Sequence, residues 1–184
     1  MEPVERLTKV IEMPEEVSIK VENRILVVNG PKGEVSKKIA TKQILFGVDN
    51  NVLRLTPNKK STRSEKCLIN TYHAHIQNMI KGVQEPFVYK LKICSSHFPM
   101  SVKIKGTELE VTNFIGERVA RKLKLKSGVD IKMEGEIITI TSPSKELAGQ
   151  VAADIEKLTK RSGFDKRVFM DGIYIIEKAG VELK

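Results

Sequence analysis

The stretch Ser18-Ile-Lys-Val-Glu-Asn-Arg-Ile-Leu-Val-Val-Asn-Gly-Pro-Lys-Gly-Glu34 returns 83 residues later as Ser101-Val-Lys-Ile-Lys-Gly-Thr-Glu-Leu-Glu-Val-Thr-Asn-Phe-Ile-Gly-Glu117, aligned without a gap. Six of the 17 positions are identical: Ser18, Lys20, Leu26, Val28, Gly33 and Glu34 match Ser101, Lys103, Leu109, Val111, Gly116 and Glu117. Ordinary composition would give roughly one such match by chance. Ile19 and Val21 also stay apolar, as Val102 and Ile104. What is conserved between the copies is one face of a strand, which marks an internal duplication.

Working outward, both copies continue in the same order. Apolar residues alternate through a first strand, a short polar turn follows, and a second strand brings Leu26 and Val28, or Leu109 and Val111, to one side. A second hairpin is predicted over Ile44 to Thr56, reversing at Asp49-Asn50-Asn51, and over Val129 to Thr141, reversing at Glu134-Gly135-Glu136. The apolar period then lengthens to about 3.6. Ile69, Tyr72, Ile76, Met79 and Ile80 mark a helix in the first copy, and Leu147, Val151, Ile155 and Leu158 one in the second. The first helix is expected to stop at Gly82. The second is expected to start at Ser142-Pro143 and to stop at Gly163. The fold class is therefore α+β: two tandem duplicated domains, each an antiparallel sheet with a helix packed on one face. The boundaries are 1–82 and 83–184, with Phe87 to Cys94 as the first strand of the second domain.

Length and charge fit this division. The 184 residues make one ordinary domain or two small ones. Lys and Arg number 32 against 23 Asp and Glu, a net charge of +9, with 14 basic and 9 acidic residues before position 83 and 18 and 14 after it. So large an excess favours an anionic partner, and nucleic acid comes ahead of acidic lipid because no basic amphipathic membrane helix is evident. No stretch nears the roughly 18 consecutive apolar residues that would span a bilayer. The start, Met1-Glu2-Pro3-Val4-Glu5-Arg6, shows no address for export, and Cys67 and Cys94 are too few for a disulfide framework or a zinc site. A cytoplasmic location is the expectation.

Catalytic signatures are sparse. His73 and His75 stand two apart on a helix and point in different directions, which does not suit one metal ion. His97 sits in a loop beside Pro99 with no acidic or thiol partner at a diagnostic spacing. No phosphate-binding loop or nucleophile elbow is present, and no cofactor or metal is implied. Gly30-Pro31-Lys32-Gly33 invites comparison with the GxxG clamp of KH domains, but it follows a strand and reads more readily as a turn.

The basic clusters carry more, because affinity for RNA rests on cations that displace counterions along the phosphate backbone. One cluster is Lys59, Lys60, Arg63 and Lys66. A second, Arg118 to Lys126, holds five basic residues and no acid, and its alternation with Val119, Leu123 and Leu125 suits an exposed strand. The third is Lys157, Lys160 and Arg161 followed by Lys166 and Arg167, with Phe164, Phe169 and Tyr174 interleaved. Rings between cations can stack on bases while the cations hold phosphates. Phe164 and Phe169 are expected to close the small core instead. Arg161, Lys166 and Arg167 are the strongest candidates for RNA contact.

Several segments resemble one family. They are Ile11-Glu-Met-Pro-Glu-Glu-Val-Ser-Ile-Lys20, Gly30-Pro-Lys-Gly33, Tyr72-His-Ala-His-Ile-Gln-Asn-Met-Ile-Lys-Gly82, Phe87-Val-Tyr-Lys-Leu-Lys-Ile-Cys94, Ser96-His-Phe-Pro99, Asn113-Phe-Ile-Gly-Glu-Arg118 and Gly149-Gln-Val-Ala-Ala-Asp-Ile155. Together they span essentially the whole chain and resemble the universal large-subunit ribosomal protein number six in its archaeal and eukaryotic-type form. The resemblance implies a non-catalytic protein of the large ribosomal subunit, made of two duplicated α+β domains. It further implies contact with large-subunit rRNA near the sarcin-ricin loop and the stalk base, beside neighbouring ribosomal proteins and the landing site of translation GTPases. The carboxy-terminal domain would make the main contacts, through the helix holding Gly149-Gln150 and the basic loop after it. That places Lys145, Lys160, Arg161, Lys166, Arg167 and Tyr174 at the RNA. Asp165 and Asp171 stand in this loop where the bacterial pattern is richer in Pro, Gly and basic residues. Two readings from other classes compete: a small RNA-processing enzyme using His97 or the His73 and His75 pair, and a protein-docking adaptor using the acidic start, where five Glu face two basic residues in positions 1–16.

Overall fold

The computed structural model of the chain describes residues 8–49, 52–58, 62–165 and 167–183. Two compact units divide between Pro86 and Phe87. The first contains β1 (Lys9–Glu12), β2 (Ser18–Glu22), β3 (Ile25–Gly30), β4 (Gly33–Lys38), β5 (Ile44–Asp49), β6 (Val52–Pro57) and α1 (Arg63–Gln84). The α+β reading holds, with one refinement. The strands form two antiparallel sheets, β2-β3-β4 and β1-β6-β5, rather than one. Alternate residues of both, Val28 and Leu53 among them, meet Ile69, Ile76 and Val83 of α1 in a single core.

The second unit repeats the plan. It runs β7 (Phe87–Cys94), β8 (Ser101–Lys105), β9 (Glu108–Thr112), a one-turn 3-10 helix (Phe114–Gly116), β10 (Arg121–Lys124), β11 (Asp130–Glu134), β12 (Ile137–Ser142), α2 (Lys145–Leu158), β13 (Gly172–Lys178) and β14 (Val181–Glu182). The spacing of 83 superimposes β2 on β8 and the start of β3 on β9, so the duplication seen in the residues is a duplication of hairpins. β8-β9-β10 matches β2-β3-β4, and β11-β12-β7 matches β5-β6-β1. Among the described residues β13 has no counterpart in the first unit: it adds to the far edge of β7, carrying β14 beyond it. The loop that leads from α2 to β13 is therefore the part of the chain the duplication does not supply.

Helix ends depart from the sequence reading for local reasons. α1 begins at a capping box, in which the Thr62 backbone N–H donates to Glu65 Oε2 at 2.8 Å and the Glu65 N–H to Thr62 Oγ1 at 3.4 Å. It runs through Gly82 to Gln84, because Val83 is fully buried in the core and Pro86 forces the preceding residue, Glu85, into extended backbone. In α2 the cap is Ser144, not Ser142, its hydroxyl accepting from Leu147 N–H at 3.3 Å. Ser142 still belongs to β12, and its hydroxyl donates to the Gly128 carbonyl and accepts from Ser144 N–H. The helix ends at Thr159, four residues before Gly163, since the buried Thr159 hydroxyl is already engaged by Ile173 N–H at 2.9 Å.

Gly30-Pro31-Lys32-Gly33 is a turn: Gly30 and Gly33 pair across the β3–β4 hairpin, and the Lys32 N–H donates to the Val83 carbonyl at 2.9 Å. A Cβ at Gly30 would come within 2.6 Å of Val83 Cγ2, so glycine is required for the hairpin to reach the end of α1.

Candidate nucleic-acid interface

The loop from Thr159 to Asp171 is anchored at its far end by a carboxylate. Asp171 has a side chain only 2% exposed and accepts from Ser96 N–H at 2.6 Å, His97 N–H at 3.0 Å and the Ser96 hydroxyl at 3.2 Å. His97 Nδ1 lies 2.6 Å from its second oxygen. Burial pushes this carboxyl up, but the hydrogen bonds from His97 and Ser96 outweigh it and hold the group at about 2. The carboxylate is thus ionised at neutral pH, and His97 Nδ1 carries the proton between them. His97 has no acidic partner at a diagnostic spacing in the sequence, and the partner it meets in the fold lies 74 residues away.

From this anchor a stack of rings runs outward. Phe169 lies 4.8 Å from the His97 ring, Phe164 meets Phe169 edge-on at 5.0 Å, and the Arg161 guanidinium sits 4.2 Å from the Phe164 centroid. The expectation that Phe164 and Phe169 close the core fails, since neither belongs to it and Phe164 is 36% exposed. Phe114, fully buried from the 3-10 turn, does that work. Between the stack and β13 lies a cavity of about 290 Å³, bordered by Phe114, Ile115, Glu156, Lys157, Lys160, Arg161, Phe164, Phe169 and Tyr174. Ile115 holds φ of +47° there, an unusual conformation for a β-branched residue and a local source of strain.

The structure brings some of the sequence-derived residues together and separates others. Lys160, Arg161 and Tyr174 border one cavity. Arg167 stands beside them in the loop, but its guanidinium, 90% exposed, is held by Asp165 at 2.9 Å and 3.2 Å. Lys145 is at the opposite end of the 14-residue helix α2, about 20 Å along its axis, over the Phe87 ring at 5.6 Å. Gly149 faces inward, where a Cβ would lie 3.3 Å from the Tyr89 hydroxyl, so its role is close packing of α2 on β7. Arg63 is the exposed first residue of α1, in the other unit. Lys59, Lys60 and Lys166 lie outside the described residues.

Sequence comparison decides the family. The family described as Ribosomal protein L6 matches the chain twice, over residues 13–86 and 98–172. The chain belongs to this family. It is 45% identical over 178 residues to the large ribosomal subunit protein uL6 of Nanoarchaeum equitans, covering 92% of both chains. To the protein of the same name in Methanococcus vannielii it is 42% identical over 172 residues, covering 92% of this chain and 93% of the other. For that of Saccharolobus solfataricus the figures are 40% over 177 residues, with 96% and 97% covered. As an L6 family member it is a ribosomal protein of the large subunit, in a non-enzymatic family. That sets aside the reading of His97, or of His73 and His75, as catalytic. Among the described residues no three His, Cys, Asp or Glu side chains are grouped to hold a metal ion, and His75 Nδ1 instead meets Lys37 Nζ at 3.1 Å.

The middle basic cluster of this L6 member is less available than its charge suggests. Arg121 reaches inward, pairing with Glu117 at 2.7 Å, donating to the Leu158 carbonyl at 2.6 Å and covering the Phe114 ring at 4.4 Å. On the β8-β9-β10 sheet Lys105 lies 2.6 Å and Lys122 3.8 Å from Glu110. The cross-strand register alternates the signs: Lys103, Glu110 and Lys122 stand abreast. No helix of the described chain is long and apolar enough to cross a membrane.

Proposed function

We propose that the second unit, residues 83–184 in the boundaries read from the sequence, is the main rRNA-binding domain, and that 1–82 forms the first repeat. Its contact lies near the sarcin-ricin loop and the stalk base, where it supports the region that translation GTPases visit and meets neighbouring ribosomal proteins in the cytoplasm. The observation that supports this best is the clustering around one cavity of Lys160, Arg161, Phe164 and Phe169 from a loop held from behind by Asp171 and of Tyr174 from β13. Cations presented on a rigid support can neutralise phosphates without first being ordered, and rings beside them add stacking that tolerates any base. Lys166 falls in the same stretch of sequence, whereas Lys145 opens α2 and Arg63 opens α1 in the first unit.

The test is the salt dependence of binding. Removing one cation from a phosphate lowers the slope of log K against log salt by slightly less than one. Arg161→Ala combined with Arg167→Ala weakens binding to protein-free large-subunit rRNA and flattens that slope. Because Asp165 already neutralises Arg167, the single Arg161→Ala variant accounts for most of the change. An unchanged slope in the double variant would remove this loop from the interface.

A further inference from the structure

We infer that the 290 Å³ cavity beside Arg161 receives one unstacked rRNA base, an adenine or a cytosine, with its phosphate held at the rim. This deepens the proposal that the second unit binds rRNA and rests on it. The volume is at the small end of the roughly 300–1,000 Å³ usual for small-molecule sites, which suits one nucleoside and not a helix groove. RNA bases splayed out of loops and bulges are recognised by stacking on aromatic rings or guanidinium planes and by hydrogen bonds to their edges.

The walls supply each of those contacts. Phe164 and Phe169 offer ring surface, and Lys157, Lys160 and Arg161 line the cavity on the side of the α2 terminus. Two polar groups remain unused. Among the described residues neither the Tyr174 hydroxyl nor the Glu156 carboxylate has a hydrogen-bond partner. Burial raises the Tyr174 phenol above its ordinary value, so it remains a protonated donor at neutral pH. Glu156 is an acceptor. Adenine and cytosine each place an exocyclic amino donor next to a ring-nitrogen acceptor, which complements a carboxylate beside a phenol. Uracil lacks the amino group, and guanine presents a second donor where Tyr174 also donates. Asp171 borders the cavity too, but its oxygens are already occupied by Ser96 and His97.

The full chain is titrated with protein-free large-subunit rRNA at several salt concentrations, and dimethyl sulfate, which methylates unpaired adenine N1 and cytosine N3, reads the footprint. Phe164→Leu keeps apolar bulk but loses the aromatic face, and Tyr174→Phe loses only the hydroxyl. The expected result for Phe164→Leu is a loss of at least about fivefold in affinity at every salt concentration, with the slope unchanged, since stacking releases no counterions. Wild-type protein shields one unpaired adenine or cytosine, and that shield is lost in both variants at matched saturation. Phe164→Leu binding like wild type, or a footprint without any single shielded adenine or cytosine, overturns the base pocket while leaving rRNA binding intact. Absence of rRNA binding by the wild-type chain overturns both readings. A melting temperature unchanged from wild type confirms that each variant is folded.

Discussion

At Asp171 two effects of opposite sign meet: burial disfavours the carboxylate, and donors from Ser96 and His97 favour it. The donors win, so the folded protein binds this proton more weakly than the unfolded chain does. A group lowered from 3.8 to about 2 contributes about 2 kcal/mol of stability. That contribution is complete above pH 4 and fades as the pH falls toward 2. Asp171→Asn should therefore destabilise the second unit at pH 7 by about 2 kcal/mol, and between pH 4 and 2 its stability should fall less steeply than that of wild type. Urea titrations at a series of pH values, followed by amide signals of the second unit, measure both. A second prediction concerns Gly30. With a new methyl 2.6 Å from Val83 Cγ2 and 2.8 Å from its Cβ, Gly30→Ala forces the β3–β4 turn and the end of α1 apart. The expected cost is about 1–3 kcal/mol, typical of overpacking, and a denaturant midpoint equal to wild type would show that the turn can shift freely.

Among the elements, the two helices are started by different devices. α1 has a reciprocal capping box and α2 a single serine hydroxyl. Thr62→Ala and Ser144→Ala should each cost about 1 kcal/mol, with amide exchange accelerating in the first turn of the affected helix and not in the other. The strand β13 is the element that makes the second unit different. By pairing with β7 it carries Tyr174 to the cavity, and its approach places Asp171 against the Ser96-His97 backbone. A loop tied down in this way can hold Arg161 and Phe164 in place while remaining at the surface.

For the whole molecule, each unit closes its own core. Leu53 in the first and Leu91 in the second are both fully buried. Leu53→Ala and Leu91→Ala should each cost about 2–5 kcal/mol. Native-state hydrogen exchange should show the loss of protection confined to residues before Pro86 for the first variant and after it for the second. Loss spread evenly over both units would mean that they unfold as one. The net charge of +9 is divided between the units almost equally, so charge alone does not single out one of them for RNA. Within the second unit the arrangement of charges singles out the loop after α2: Arg161 is stacked on a ring at the edge of a cavity, whereas Lys105 and Arg121 of the same unit are engaged by nearby carboxylates.

The residues by themselves determined the duplication, the α+β class, the β2–β3 and β8–β9 hairpins and the course of both helices. These depend on local periods of 2 and 3.6, which any correct pairing must bury. Helix ends were less legible because the determinants compete over a few residues: Pro86 outweighed Gly82, and Ser142 was claimed by a strand before it could cap a helix. The family segments located the basic loop. Only the tertiary structure decided that His97 and Asp171 meet across 74 residues, that Phe164 and Phe169 stack outside the core, that Lys145 and Arg161 stand at opposite ends of α2, and that Arg167 is neutralised beside Asp165. The pairings of His97 join side chains far apart in the chain, and the Phe164–Phe169 and Arg167 pairs depend on the fold of a loop without repeating structure. Neither kind has a period that a linear pattern could carry.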